Sequence, residues 1–235
     1  MSCTATKRLG SGRKAFLHPF PFIYTTSCPW HLHCDQSRSK VFALNYYSLA
    51  GPCKSLEETE KVVAGAFLAS SSTHASAQNA HRVYYAVHEL LSTSPNDDPT
   101  MKFIGTILLR TLEDGGLDLS PPFIPAPYSP TNTFLTLELA YQFLPAAWGK
   151  GYAGESVRAV FEACARNQAV WHPYERVYCR VIVNAGNPAS LKVMQKLGVR
   201  EMGVYKWTGK IWLAGGWRFE DDLHIYGKWL VGEEE

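Results

Sequence analysis

The run Gly149-Lys150-Gly151-Tyr152-Ala153-Gly154 is where this chain is best equipped for chemistry. It follows a strand-like stretch, LTLELAYQFL, and opens a segment with helical spacing. A helix start leaves its first backbone N–H groups unpaired and pointing one way, and the helix dipole adds positive potential there. Glycine lets an anion approach that backbone because no Cβ stands in the way. The segment therefore reads as a cradle for phosphate, and for pyrophosphate in particular. The same letters spell G-x-G-x-x-G, the dinucleotide fingerprint, but the context differs. In that motif the first glycine follows the strand directly, and an acid about 20 residues on ends the next strand. Here Pro145 to Trp148 intervene, and Glu175 begins the next strand while Asn184 ends it. A ribose-binding acid would sit at the wrong end. A blander reading stays open, in which the glycines only let the helix pack.

The elements that must position this turn follow from periodicity. Ser55-Leu56-Glu57-Glu58 is a capping-box pattern, and Val62, Val63, Ala66 and Phe67 recur behind it on one helical face. Ser70 to Asn79 reads as a polar loop, then Arg82 to Leu90 and Met101 to Arg110 as two strands of a hairpin. Glu113 to Asn132 is rich in Gly and Pro, and a connection of that length suggests a flap near a site or a surface insertion. The central strand places Leu135, Leu137, Leu139, Tyr141 and Phe143 on one face and Thr136, Glu138, Ala140 and Gln142 on the other. Val157, Val160, Phe161 and Cys164 stripe the helix after the glycines. Tyr174 to Val183 is a strand, near-continuously apolar in its second half and expected to be buried on both faces. Strand, helix, strand implies that it runs parallel to the central one. Asn187 and Pro188 then open a helix that Gly198 stops, with Leu191, Met194 and Leu197 as its stripe. Val199 to Trp207 and Leu223 to Trp229 close the chain as strands.

With 46% hydrophobic content, 235 residues can bury one good core and are short for two domains. We read residues 1–40 as an irregular or disordered leader and 41–235 as a single domain. Lys7, Arg8, Arg13 and Lys14 precede the first acid, Asp35, which resembles a mitochondrial targeting bias, although Pro19, Pro21 and Pro29 interrupt any long amphipathic helix. A net charge of +2 gives no reason to expect a nucleic-acid surface, and no apolar run approaches membrane-spanning length. The six cysteines show no ligand spacing, so no metal is expected, and a reducing, cytoplasmic setting suits them best.

The segments AYQFLPAAWGKGYAGESV and VNAGNPASLKVMQKLGV, one helix and one strand apart, resemble the GNAT superfamily of acyl-CoA N-acyltransferases. They look most like its ribosomal-protein-alanine N-acetyltransferase branch, whose order of elements residues 55–230 follow, down to a late Gly215-Gly216-Trp217. The resemblance implies a mixed α/β fold: a central, mostly antiparallel sheet with a splayed parallel pair at the cofactor site, flanked by helices. It implies acetyl-CoA as co-substrate, with the amides of Gly149, Lys150, Gly151, Tyr152, Ala153 and Gly154 on the pyrophosphate. Gln142, Phe143 and Leu144 would carry the pantetheine arm as an added strand, with Asn187 contacting it. Asn184 is a weaker candidate. Trp148 falls where the family pattern has Gln or Arg, and Met194 where many members place an acidic tyrosine.

The implied reaction is attack of a neutral primary amine on the thioester in a ternary complex. Glu138 is the candidate base, with a carboxylate neutralised by Arg or Lys as the alternative. Ser190, matching N-x-x-S, is the candidate acid, and Tyr141 and Tyr205 are unranked substitutes. The function expected is an N-acetyltransferase acting on a protein N-terminus or a small amine. A non-catalytic acyl-CoA-binding protein of the same fold is the second reading, and a nicotinamide oxidoreductase the third.

Overall fold

Alternating side chains give the strands two faces, and one face carries the main core. The computed structural model describes residues 15–19, 82–91, 101–112, 117, 119, 122–123, 134–213 and 216–232. In chain order the elements are β1 (Ala15–Pro19), β2 (Arg82–Leu90), β3 (Met101–Thr111), β4 (Phe134–Phe143), α1 (Tyr152–Arg166), β5 (Arg176–Asn184), α2 (Pro188–Leu197), β6 (Arg200–Leu213) and β7 (Gly216–Val231). The strands form one mixed sheet of seven, ordered β1-β2-β3-β4-β5-β7-β6. Neighbours are antiparallel except β4 and β5, the pair joined through α1. The fold is thus the mixed α/β arrangement that the sequence implies. The capping-box helix after Ser55, the 70–79 loop and Gly215 lie outside the described residues.

Leu135, Leu137 and Leu139 of β4 and Val177, Cys179, Val181 and Val183 of β5 are buried in one cluster with Val157, Val160, Phe161 and Cys164 of α1 and Met194 of α2. Each fully buried aliphatic side chain is worth about 1.5–3 kcal/mol, so this stripe is what holds α1 on the sheet. β5 is buried from Val177 to Val181. On its other face it buries Arg180, 1% exposed, in a strand that the sequence presents as apolar. At α2, Asn187 Oδ1 accepts from the Ser190 N–H at 3.1 Å, and Gly198 closes the helix with φ 64°.

Two differences from the sequence reading have physical causes. Within the stretch expected to be an irregular leader, Ala15–Pro19 pairs with β2 as the outermost strand. The final hairpin also runs further than expected, through Leu213 and back from Gly216. Its extension is held by backbone pairing and cross-strand contacts such as Lys206 Nζ to Asp222 at 3.1 Å, with Trp217 and Phe219 exposed. Without burial there is little hydrophobic period to read.

The packing yields three expected outcomes. A methyl added at Gly227 would land on the Tyr178 hydroxyl, whose ring is 3% exposed on β5 and has no room to swing away. Gly227→Ala should therefore lower stability by about 1–3 kcal/mol, read as a shift in the urea midpoint. Burial, with smaller contributions from Cys164 and Glu138, pushes the Cys179 thiol well above its ordinary range. The unfolded chain then loses this proton first as pH rises, so stability should fall once pH passes the ordinary thiol value. Iodoacetamide should label Cys164 and Cys179 only in denaturant, since both are buried.

Candidate active site

The register of β4 and β5 runs from Phe134↔Arg176 to Glu138↔Arg180 and stops there. Both strands continue: β4 stays on β3 to Phe143↔Gly105, and β5 stays on β7 to Asn184↔Leu223. The two therefore part after Glu138 and Arg180 and leave a wedge between Leu139–Phe143 and Val181–Asn184. Backbone direction identifies what faces it. The Leu144 N–H donates to Ile104 O of β3 at 2.9 Å. Antiparallel alternation then turns the backbone groups of Phe143 and Tyr141 away from β3, toward the wedge. One of these is already engaged, because the Trp148 indole Nε1–H donates to Phe143 O at 2.7 Å. Trp148, 53% exposed, thus acts as a strap between the strand end and the turn.

The glycine run closes the wedge. Gly149 and Gly151 have φ of 71° and 86°, the left-handed region that favours glycine. A Cβ built at Gly149, Gly151 or Gly154 meets nothing within 4 Å, so the backbone borders open space. Gly151 caps α1 without a side-chain bond, and the first N–H to return along the helix is Glu155 to Gly151 O at 3.1 Å. The N–H groups of Tyr152, Ala153 and Gly154 precede that bond, as an anion cradle requires. Lys150 is exposed beside them. The Tyr152 side chain points inward: it is 2% exposed, and its hydroxyl donates to the Glu89 carboxylate on β2, which pins the start of α1.

The remaining candidates divide between the walls. Tyr141, on β4, has a buried hydroxyl without a partner in full hydrogen-bond geometry. Burial pushes its pKa up, and the Ser190 side chain, close enough to act on it, pulls the other way. Asn187 spends Oδ1 on the α2 cap and keeps Nδ2 as a donor. Asn184, at the open end of β5, accepts from the Gly186 N–H through Oδ1 at 2.7 Å, and its Nδ2 is buried without a partner. Tyr205 lies on β6, beyond β7, edge-on to Phe123 at 5.8 Å. Met194 is fully buried among the core residues.

Glu138 sits at the apex of the wedge between two arginines. Arg110 Nη2 donates to its Oε1 at 2.8 Å, and Arg180 Nε and Nη2 donate to its Oε2 at 3.1 and 2.9 Å. Both carboxylate oxygens are engaged, an arrangement that suits a structural anion better than a free base. Sequence reasoning passed over both arginines. Arg180 carried a signal, since a charge in the middle of the run Val177 to Val183 must find a partner when buried.

The profile of the acetyltransferase (GNAT) domain matches residues 31–200. The chain belongs to the GNAT acetyltransferase family. No curated protein matches it in a sequence comparison. Among solved structures, a GNAT-family acetyltransferase from Bacillus anthracis superposes with TM-score 0.52 at 16% identity, covering 97% of this chain and 98% of that one. An acetyltransferase from Salmonella typhimurium that modifies the N-terminal serine of ribosomal protein L7/L12 gives 0.52 at 15%, covering 93% and 95%. Spermidine N-acetyltransferase from Vibrio cholerae, in complex with CoA and spermine, gives 0.50 at 15%, covering 90% and 94%. At these identities the likeness is one of fold.

The glycine turn of this GNAT chain offers one position at which helix stability and anion binding can be read separately. Gly154→Ala should stabilise α1 by up to about 1 kcal/mol, because alanine is the better helix former. Its methyl would occupy the open space over the turn, so affinity for a pyrophosphate-bearing ligand should fall about tenfold. Thermal melts and titration calorimetry on the same sample check the opposite signs.

Proposed function

We propose that this GNAT-family chain is an acetyl-CoA-dependent N-acetyltransferase that delivers an acetyl group to a primary amine within a ternary complex. The observation that carries the reading is the continuity of the open glycine turn, Gly149–Gly154, with the wedge edge of β4. In this reading the turn amides, with Lys150, hold the pyrophosphate. Gln142, Phe143 and Leu144 line the pantetheine arm, and the outward backbone groups of Tyr141 and the N–H of Phe143 pair with it as a strand edge would. The donors of Asn187 and Asn184 face the same arm. CoA and spermine in the Vibrio structure, and the N-terminal serine acted on by the Salmonella protein, support a CoA thioester and an amine as the two substrates.

The chemistry is a displacement. The amine lone pair forms the C–N bond, the C–S bond breaks, the sulfur takes up a proton and the nitrogen gives one up. Holding both reactants at the apex supplies several kcal/mol by itself. Ser190 is the proposed proton donor to sulfur, with the Tyr141 phenol beside it; burial keeps that phenol protonated. Demand for a base depends on the amine. An α-amino group is about one-fifth neutral near pH 7.4, whereas a lysine-like amine is about one-thousandth neutral. With Glu138 held by two guanidiniums, the weaker base is the better substrate, and a protein N-terminus fits that requirement. The fully buried Met194, standing where many superfamily members have a tyrosine, favours the second reading: an acyl-CoA-binding protein that does not turn over.

Calorimetric titration of acetyl-CoA into wild type and Gly151→Glu tests the proposal. We expect micromolar binding that the variant abolishes, because a side chain at φ 86° is strained and its charge enters the cradle. Free CoA released in the presence of an amine panel then separates transferase from binder. A well-folded wild type that binds no acetyl-CoA would sink both readings.

A further inference from the structure

We propose that Arg110, Glu138 and Arg180 form a positioning device for the amine side of the site, fixing where β4 and β5 part and seating the Leu117 segment beside that point. The inference rests on the acetyltransferase reading above. The three residues stand in register across adjacent strands, Arg110↔Glu138 and Glu138↔Arg180, and the second pair is the last one joining β4 to β5. The wedge therefore opens at the ion pair itself. The split also divides the surroundings of Arg180. Its Nε and Nη2 hold Glu138, while Nη1 donates to Leu117 O at 2.9 Å. A single 1%-exposed guanidinium thus ties the apex to a chain segment 63 residues away. The planar fork allows this, whereas one ammonium has no such spread of donors.

The side on which this happens matters. Glu138 and Arg180 project from the face of the sheet opposite the one that α1 covers, since α1 packs with Leu137, Leu139, Cys179 and Val181. On that opposite face Phe123 meets Tyr205 and lies 3.1 Å from a Cβ built at Gly203 on β6. The described residues of this segment therefore run from the apex across toward β6. A thioester lying in the wedge, its anchor at the start of α1, would present its carbonyl to an amine arriving from the Leu117 side. Glu138 acts here through the arginines that it holds, and these residues position rather than react.

Glu138→Gln and Arg180→Lys test this in the full chain. Arg180→Lys keeps a cation against Glu138 and gives up the bond to Leu117. Chymotrypsin cleavage after Phe123 should then rise about tenfold, as expected on losing a charge-assisted tether. Acetyl-CoA Kd should stay within about twofold while the amine KM, measured with spermidine and with a serine-initiated peptide, rises about tenfold. The pH dependence of kcat should keep its shape in Glu138→Gln, because Glu138 positions rather than reacts. Unchanged cleavage would overturn the seat. Loss of the acid limb of the kcat profile in Glu138→Gln would overturn the positioning role and make Glu138 the base. A wild type that binds no acetyl-CoA would remove the transferase reading itself, a result separable from the cleavage readout.

Discussion

Hydrogen bonding between β4 and β5 ends at Glu138 and Arg180, and most of what this structure can do depends on that ending. Two parallel strands that stay paired leave no room between them; two that part expose backbone groups needing partners. The fold supports the parting from outside. β3 holds β4 as far as Phe143, and β7 holds β5 as far as Asn184, so each strand stays in the sheet without the other. A buried ion pair at the branch point gives the split a fixed origin. Removing Glu138 would leave the buried Arg180 guanidinium without its counter-charge, so the position is strongly determined even though such a pair adds little net stability.

The opposite end of the wedge is determined differently. No side chain caps α1, and two left-handed glycines shape the turn that leads into it, beside open space. The Tyr152 hydroxyl on Glu89 and the stripe from Val157 to Cys164 hold the helix against the sheet. The helix start is thereby fixed by its buried face, and the proposed anion site makes no demand on that packing. Trp148 shows the same economy of groups: by closing on Phe143 O it satisfies one of the backbone acceptors that the split exposes.

Local features were the legible ones. The cap at Asn187, the stop at Gly198 and the glycine turn at 149–154 each need only neighbouring residues to define them, and the structure has them where the sequence places them. The alternation of β4 likewise sorted Leu135, Leu137 and Leu139 from Thr136 and Glu138. The arginine clamp was not legible, because its members lie 28 and 42 residues apart and meet only through sheet register. Glu138 on its own reads equally well as base or counter-ion; the distinction lies on two other strands. β1 hid for a related reason, since a five-residue strand far from its partner carries too little pattern to stand out.

The wedge also makes the chain between its ends a ruler. From Glu138 to Phe143 the strand advances roughly 17 Å, at about 3.3 Å per residue, before the Pro145–Ala147 turn delivers the glycines. The distance from anchor to apex is therefore counted in residues. One residue added or lost there would shift the anchor by a full step and turn every following side chain to the other face. Natural variation in this GNAT chain should thus accumulate in the composition of residues 139–148 and leave their number alone.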